Sequence, residues 1–397
     1  MQLEFYETFV VATLALVAGR TLVARVSALR AYSIPEPVVG GLTVALALLA
    51  AHAAGLDIRF DASRQDLFML LFFASIGLNA DFASLRRGGR ALFVFLAVVL
   101  GLLVTQNTVG LAMAHALGLP PALGLLAGSV TLSGGHGTGA AWGAVFAQRF
   151  GLASATELAL ACATFGLVLG GLVGGPVGRY LMGRLPAGGQ RRVESVPSTF
   201  EQPGATRLIT APALIETLAL FALCLYAGTA LATLLHGTAF ELPAFVWVLL
   251  AGVVLRNALG VAGRYAVFDR CVSVVGNASL ALFLIMAMMS LRLWELAGLA
   301  LPLLALLGAQ TAAMVAYSIF VTFRVMGRNH DAAVLAAGHC GFGLGATPTA
   351  IANMQAVTDR YGPSHLAFVV VPVVGAFFID IANALVIKLF LLLPVYG

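Results

Sequence analysis

Apolar runs of about twenty residues, repeated along the whole chain, limit this sequence to very few folds. One such run crosses the hydrocarbon core of a bilayer as a helix. In lipid every backbone polar group must be satisfied inside the protein, which leaves helices or closed barrels. A barrel needs segments of about ten residues alternating apolar and polar, and the runs here are continuous. Composition points the same way. Of 397 residues, 60% are hydrophobic and 10% charged, and mean hydropathy is +0.99; a soluble domain carries roughly 25% charged residues. The expected fold class is an all-α polytopic membrane protein.

The runs predict ten spans, at 8–26, 35–54, 66–80, 91–117, 155–181, 211–235, 241–259, 274–290, 298–323 and 364–390. A polar linker at 182–208, with Pro186, Pro197 and Pro203, separates a first half (1–181) from a second (209–397). The halves match in order. Glu7-Thr8 pairs with Glu216-Thr217, Pro35-Glu36-Pro37 with Glu241-Leu242-Pro243, and Gln106-Asn107 with Gln310-Thr311. LLAGSVTLSGGHGTGAAW at 125–142 pairs with LAAGHCGFGLGATPTAIA at 335–352, and Arg149-Phe150-Gly151 with Arg360-Tyr361-Gly362. Partners lie about 210 residues apart, the mark of an internal duplication.

Arginines set the expected topology. With the N-terminus outside, the inside loops hold Arg25, Arg30, Arg86, Arg87, Arg90, Arg179, Arg184, Arg191, Arg192, Arg207, Arg256, Arg264, Arg270, Arg324 and Arg328. Arg59, Arg64, Arg149 and Arg292 stay outside, mostly beside Asp57, Asp61, Asp66 and Glu295. This positive-inside bias requires five crossings per half, with a re-entrant helical hairpin near 120–150 and another near 331–358. An odd number of crossings makes the repeats inverted. Many secondary transporters are built so, with binding sites near the midplane on interrupted helices. Both termini are then expected outside and the linker in the cytoplasm.

Other classes find less support. Cys162, Cys224, Cys271 and Cys340 stand singly in apolar runs, without a CxxC pair, so neither zinc nor a disulfide framework is signalled. The net charge of +5 comes from arginine, with Lys388 the only lysine, and membrane-protein loops account for it without nucleic acid. Glu4 and Glu7 stand where a cleavable signal peptide would be basic. A channel lacks its ring of charges. An enzyme lacks a nucleophile paired with a base, and no cofactor is called for.

The two glycine-rich segments carry the chemistry. The first reads Ser133-Gly134-Gly135-His136-Gly137-Thr138-Gly139; the second contains Gly343, Gly345, Thr347 and Thr349. Glycine inside a helix costs about 1 kcal/mol relative to alanine, so adjacent glycines predict a break between two half-helices. Bare backbone at a break can approach a solute, and non-helical backbone at membrane depth is tolerated only where protein or a water-filled cavity covers it. Half-helix N-termini suit a carboxylate, and the opposite ends suit a small cation. The competing use of these glycines is close helix packing.

The strings SGGHGTGAAW at 133–142, GHCGFGLGATPTAIANMQA at 338–356, IPEPVVGGL at 34–42 and GAFFIDIANALVIK at 375–388 resemble the bacterial sodium/glutamate symporters. The likeness runs from about residue 10 to the C-terminus. It implies Na⁺-coupled uptake of L-glutamate across the bacterial inner membrane and a homodimer. It also implies a transport domain carrying both hairpins, moving like an elevator against a scaffold domain, as in the related citrate symporters. Free glutamate bears one net negative charge, so entry into a negative-inside cell is opposed by about 2.3 kcal/mol per 100 mV. One Na⁺ cancels that charge, and a second makes import voltage-assisted.

Ionisable and polar groups inside spans are functional candidates by default. Asp380 and Asn383 share one face of the last span; a buried carboxylate suits the substrate ammonium or a Na⁺. His136 among the glycines suits a substrate carboxylate. Thr347, Thr349 and Asn353 form a polar strip. Gln106, Asn107 and Gln310, with Asp380, are the candidate Na⁺ ligands. The expected substrate set is Ser133, Gly134, Gly135, His136, Gly137, Thr138, Gly343, Gly345, Thr347, Thr349, Asn353, Asp380 and Asn383. The alternative cargo is a di- or tricarboxylate such as citrate, though a trianion calls for more cationic side chains near the hairpins than the sequence has.

Overall fold

The computed structural model describes residues 2–27, 29, 34–56, 58–152, 154–185, 208–238, 241–263, 265–289 and 300–396, without the side chains of 83–88 and 376–377. The body of the linker at 186–207 lies outside the described residues, as do Arg30, Asp57, Arg264, Arg292 and Glu295 and the side chains of Arg86 and Arg87.

The described chain is helical. The first half forms α1 (Phe5–Arg25), α2 (Glu36–Ala53), α3 (Gln65–Asn79), α4 (Phe82–Ala116), α5 (Pro121–Leu125), α6 (Gly135–Phe150) and α7 (Ala155–Met182). The second forms α8 (Ala211–Leu234), α9 (Ala244–Ala262), α10 (Asp269–Met289), α11 (Ala300–Tyr317), α12 (His330–Leu344), α13 (Thr347–Tyr361), α14 (His365–Val373) and α15 (Ile379–Leu391), with the short turn helix Phe323–Val325 closing α11. Three π turns interrupt this series: Leu126–Val130 after α5, Ser318–Thr322 after α11 and Val374–Phe378 between α14 and α15. Among the described residues, eight helices are long and apolar enough to cross a membrane. The protein is a multi-pass membrane protein.

Local chemistry explains several boundaries. Proline occupies the first turn of α2, α8 and α13, where its missing N–H has no partner to lose. Asn329 and Ser364 cap α12 and α14 by accepting from Ala332 N and Ala367 N. The predicted span at 91–117 reaches back to Phe82 through a kink at Gly89, whose φ of 58° only glycine adopts easily. The predicted span at 66–80 is a helix of only 15 residues. The predicted last span at 364–390 is two helices joined by a π turn, with Pro372 just before the turn removing one helical donor.

The helices sort into two groups by what they touch. An outer group, α1, α2, α3, α8, α9 and α10, packs mainly within itself. Glycine pairs set its closest crossings: a Cβ on Gly252 of α9 would lie 3.0 Å from Ala74 O on α3. The hairpin group, α4–α7 and α11–α15, holds most of the largest core, including Leu102, Leu126, Phe146 and Phe342. The seam between groups is aromatic, with the Phe245 ring 5.7 Å from Trp142 and 4.6 Å from Phe73. The chain passes between groups at Ala80–Phe82. There the Asn257 side chain clamps the backbone, donating to Ala80 O at 2.9 Å and accepting from Phe82 N at 3.0 Å. Its neighbour Arg256 pairs with Asp269 at 2.6 Å across the α9–α10 turn. Outside the spans, the Ser63 amide and hydroxyl hold the Asp61 carboxyl below its usual pKa.

Candidate functional site

Each glycine-rich segment is broken at the expected place. The first half-helix ends at Ser133-Gly134, and α6 begins at Gly135 with φ 68°. In the second segment α12 ends at Leu344 and α13 begins at Thr347. The breaks face each other: a Cβ on Gly135 would lie 3.5 Å from Gly345 O. Around them nearly everything is buried. The accessible positions at the breaks are Gly134 and Gly135 in the first and Ala346, Thr347 and the exposed Pro348 in the second, with Asp380 also half-buried.

Two helix N-termini therefore open onto one partly accessible spot. Neither is capped by a side chain: Gly134 and Ala346 at the cap positions contribute none. Their first N–H groups lack intrahelical partners and carry the positive end of the helix dipole. Thr138, in the first turn of α6, donates to Asp380 Oδ1 at 3.3 Å, so the one half-buried carboxylate of α15 sits beside the first break.

The remaining predicted residues tie these parts together. Gln106 of α4 donates to Gly343 O at 2.6 Å and accepts from Ser133 Oγ at 2.6 Å, bracing one break against the other. Gln310 of α11 donates to Gln106 O at 2.7 Å. Asn107 Oδ1 accepts from Ser129 N at 3.0 Å, and Asn383 Nδ2 donates to Ser129 O at 2.8 Å. Thr347 donates to Gly375 O at 2.9 Å, linking the second break to the last π turn. In that turn Ile379 N bonds to Val374 O instead of Gly375 O, which leaves the Gly375 carbonyl open to Thr347.

Other predicted residues face protein. Asn353 is 4% exposed and donates to Gly170 O at 2.8 Å. Thr349 is buried, and its hydroxyl has no hydrogen-bond partner. Gly137 lies on the seam, where a Cβ would meet the Phe72 ring at 2.6 Å. His136 Nε2 bonds to Thr164 Oγ1 at 2.9 Å, and Thr164 already donates to Leu160 O. The imidazole must therefore be the donor, and a neutral ring keeps only an acceptor at Nδ1.

Sequence reasoning missed a glycine stripe on α7, although its spacing was visible. Gly166, Gly170, Gly174 and Gly178 recur every fourth residue on one helix face. The stripe lets the α12–α13 hairpin lie directly on α7: Cβ atoms on Gly170 and Gly174 would stand 3.0 Å from Gly341 O and 2.8 Å from Ala337 O. It also missed Ser129 and Thr164, single hydroxyl residues that matter only through partners distant in sequence.

The profile of the Sodium/glutamate symporter family matches residues 1–363. The chain belongs to the sodium/glutamate symporter family. It is 63% identical over 397 residues to the sodium/glutamate symporter of Escherichia coli (strain K12), covering 100% of this chain and 99% of that one. It is 54% identical over 387 residues to that of Haemophilus influenzae (strain ATCC 51907 / DSM 11121 / KW20 / Rd), covering 96% of each. The family resemblance of the glycine-rich strings thus extends over the full length, and members of the sodium/glutamate symporter family are transporters rather than enzymes.

Proposed function

We propose that this protein carries out Na⁺-coupled symport of L-glutamate, with the substrate held between the two glycine breaks. The observation that carries this reading is the meeting of two uncapped helix N-termini with one half-buried carboxylate. Glutamate has two carboxylates and one ammonium. Each carboxylate takes one N-terminus, at Gly135–Gly137 and at Thr347–Thr349, and the ammonium takes Asp380. A partly buried N-terminus favours an anion by up to about 2 kcal/mol, and the low-dielectric surroundings strengthen the Asp380 pair. Citrate, with three carboxylates and no ammonium, would set its third charge against Asp380. His136, bonded to Thr164, positions the first break, and Gln106 sets the distance between the two.

The hairpin group is the transport domain in this reading and the outer group is the scaffold. Few helix contacts cross between them beyond the aromatic seam, which suits an elevator-like movement. The halves are inverted repeats with re-entrant hairpins, the termini are periplasmic, and the linker is cytoplasmic in the bacterial inner membrane. The scaffold holds a homodimer in lipid. Supporting the topology are the arginine distribution and the matched position of a helix break in each half.

The test is uptake of labelled L-glutamate into proteoliposomes with and without a Na⁺ gradient, in competition with D-glutamate, aspartate and citrate. The reading predicts Na⁺-dependent, voltage-sensitive uptake that citrate does not inhibit. Uptake indifferent to both Na⁺ and membrane potential would overturn it.

A further inference from the structure

Ser129 is the meeting point of three elements. Its N–H donates to Asn107 Oδ1 on α4, and its carbonyl accepts from Asn383 Nδ2 on α15. These bonds fix both amides, because turning either one over would set donor against donor or acceptor against acceptor. One residue earlier, at Gly128, the chain leaves helical geometry (φ −102°, ψ −133°). A Cβ there would lie 3.0 Å from Asn107 Oδ1, so glycine is what allows α4 this close.

Ser129, Asn107 and Asn383 are each 0% exposed. Three of their polar atoms nevertheless have no hydrogen-bond partner: Ser129 Oγ, Asn383 Oδ1 and Asn107 Nδ2. A buried polar group left unpaired costs about 1–3 kcal/mol, and such groups are rare in native proteins. Three grouped around one residue, beside the non-helical Gly128 inside the hairpin group, give the junction the polar lining of a small binding site.

We infer that this junction is a Na⁺ site separate from the substrate position. Ser129 Oγ and Asn383 Oδ1 supply oxygens, which a hard cation prefers. Asn107, whose Oδ1 is taken by Ser129 N, keeps Nδ2 as an unpaired donor for a water that the ion retains. Neutral oxygens bind a monovalent ion reversibly, as a transported ion requires. The site also accounts for coupling. Asn383 and Asp380 share a face of α15, so an ion that orders Asn383 steadies the carboxylate that bonds Thr138. The ion therefore binds before the amino acid. This inference rests on the Na⁺ coupling proposed above and extends it by placing the ion at residues that do not touch substrate.

The experiment uses the purified full-length protein without glutamate, with thermal unfolding followed as Na⁺ is raised against a K⁺ background. Wild type, Ser129→Ala and Ser129→Cys are compared; the thiol fills the hydroxyl's space, being slightly larger, but is a poor ligand for a hard cation. The site predicts that both variants need about tenfold more Na⁺ for the same stabilisation, a loss of about 1.4 kcal/mol in ion binding. Half-saturating Na⁺ for glutamate uptake should rise in parallel, while half-saturating glutamate at high Na⁺ moves much less. If the wild-type Na⁺ response survives both substitutions, the junction holds water alone and the inference fails. If wild-type uptake shows no Na⁺ dependence, the coupling reading itself fails.

Discussion

The outer group and the hairpin group solve the problem of polar groups in lipid differently. In the outer group, threonines turn back onto their own helices: Thr13 to Phe9 O, Thr21 to Val17 O, Thr43 to Val39 O and Thr217 to Ala213 O. Such bonds satisfy a hydroxyl locally and ask nothing of neighbouring helices. In the hairpin group the amides and several hydroxyls reach across the fold, from Gln106 to Gly343, Asn383 to Ser129, Asn353 to Gly170 and Thr138 to Asp380. Among the described residues, all three π turns lie in the hairpin group. A helix satisfied by itself can serve as a rigid frame. Thr105, Thr108, Thr164 and Thr311 of the hairpin group also turn back onto their own helices, but its buried amides tie different helices together, so changing one bond is felt at the others.

The largest expected difference between the groups is electrostatic. Asp380→Asn removes what is, among the described residues, the only acidic side chain at the breaks, and should lower uptake of labelled L-glutamate at least about 100-fold, a loss of about 2.7 kcal/mol or more in transition-state terms. No acidic side chain of the outer group, Glu216 included, should approach that when neutralised; near-normal uptake by Asp380→Asn would erase the distinction.

The next comparison holds backbone strain constant. Gly135 has φ 68° and Gly263, in the outer group, φ 63°. Alanine at either position costs roughly 1–2 kcal/mol of left-handed strain, which a thermal unfolding scan should register in both. Only Gly135→Ala should also cut uptake, by about tenfold in the sense of one 1.4 kcal/mol step, because its methyl stands between the breaks. Nothing lies within 4 Å of a Cβ on Gly263.

A third pair sharpens the role of the α7 stripe. A Cβ on Gly170 would lie 3.0 Å from Gly341 O, whereas one on Gly171 meets only Thr349 Cγ2 at 3.6 Å. Gly170→Ala should destabilise by about 1–3 kcal/mol through overpacking, and Gly171→Ala should be neutral or slightly stabilising because alanine is the better helix former. Equal melting temperatures would mean that the hairpin is not seated on α7 as described. The smallest contrast concerns single hydroxyls. Thr347→Val breaks the bond to Gly375 O and should cost about 0.5–1.5 kcal/mol; it should also slow uptake. Thr229→Val, on an exposed face of the outer group, should leave both stability and uptake within about 0.5 kcal/mol of wild type.

What could be read from the sequence was what is local or repeated. Hydropathy placed the helices, and the matched glycine strings located both breaks, because glycine-rich backbone is a weak continuation of a helix. Asp380 and Asn383 were singled out through the cost of polarity in lipid; Asp380 lies beside the first break through Thr138, whereas Asn383 is buried against Ser129. The π turns were not legible, since Val374–Phe378 is an apolar string whose wide turn depends on Thr347 arriving from another helix. The short α3 was legible, its span read at 66–80 and found at Gln65–Asn79. Gln106 was marked as an ion ligand because it is polar and deep; only three dimensions reveal that Ser133 and Gly343 already occupy its amide. Periodicity finds elements, but the partners of a buried amide come from the topology.

The central claim is that two helix N-termini and Asp380 divide the three charges of glutamate among them. Competition of labelled L-glutamate uptake by glutarate, which lacks the ammonium, tests it most directly when wild type and Asp380→Asn are compared. The account predicts that wild type prefers glutamate over glutarate by at least about 100-fold, roughly 2.7 kcal/mol, and that in Asp380→Asn this preference falls to within a few-fold. Full discrimination by Asp380→Asn would contradict it, because the ammonium would then be recognised somewhere else.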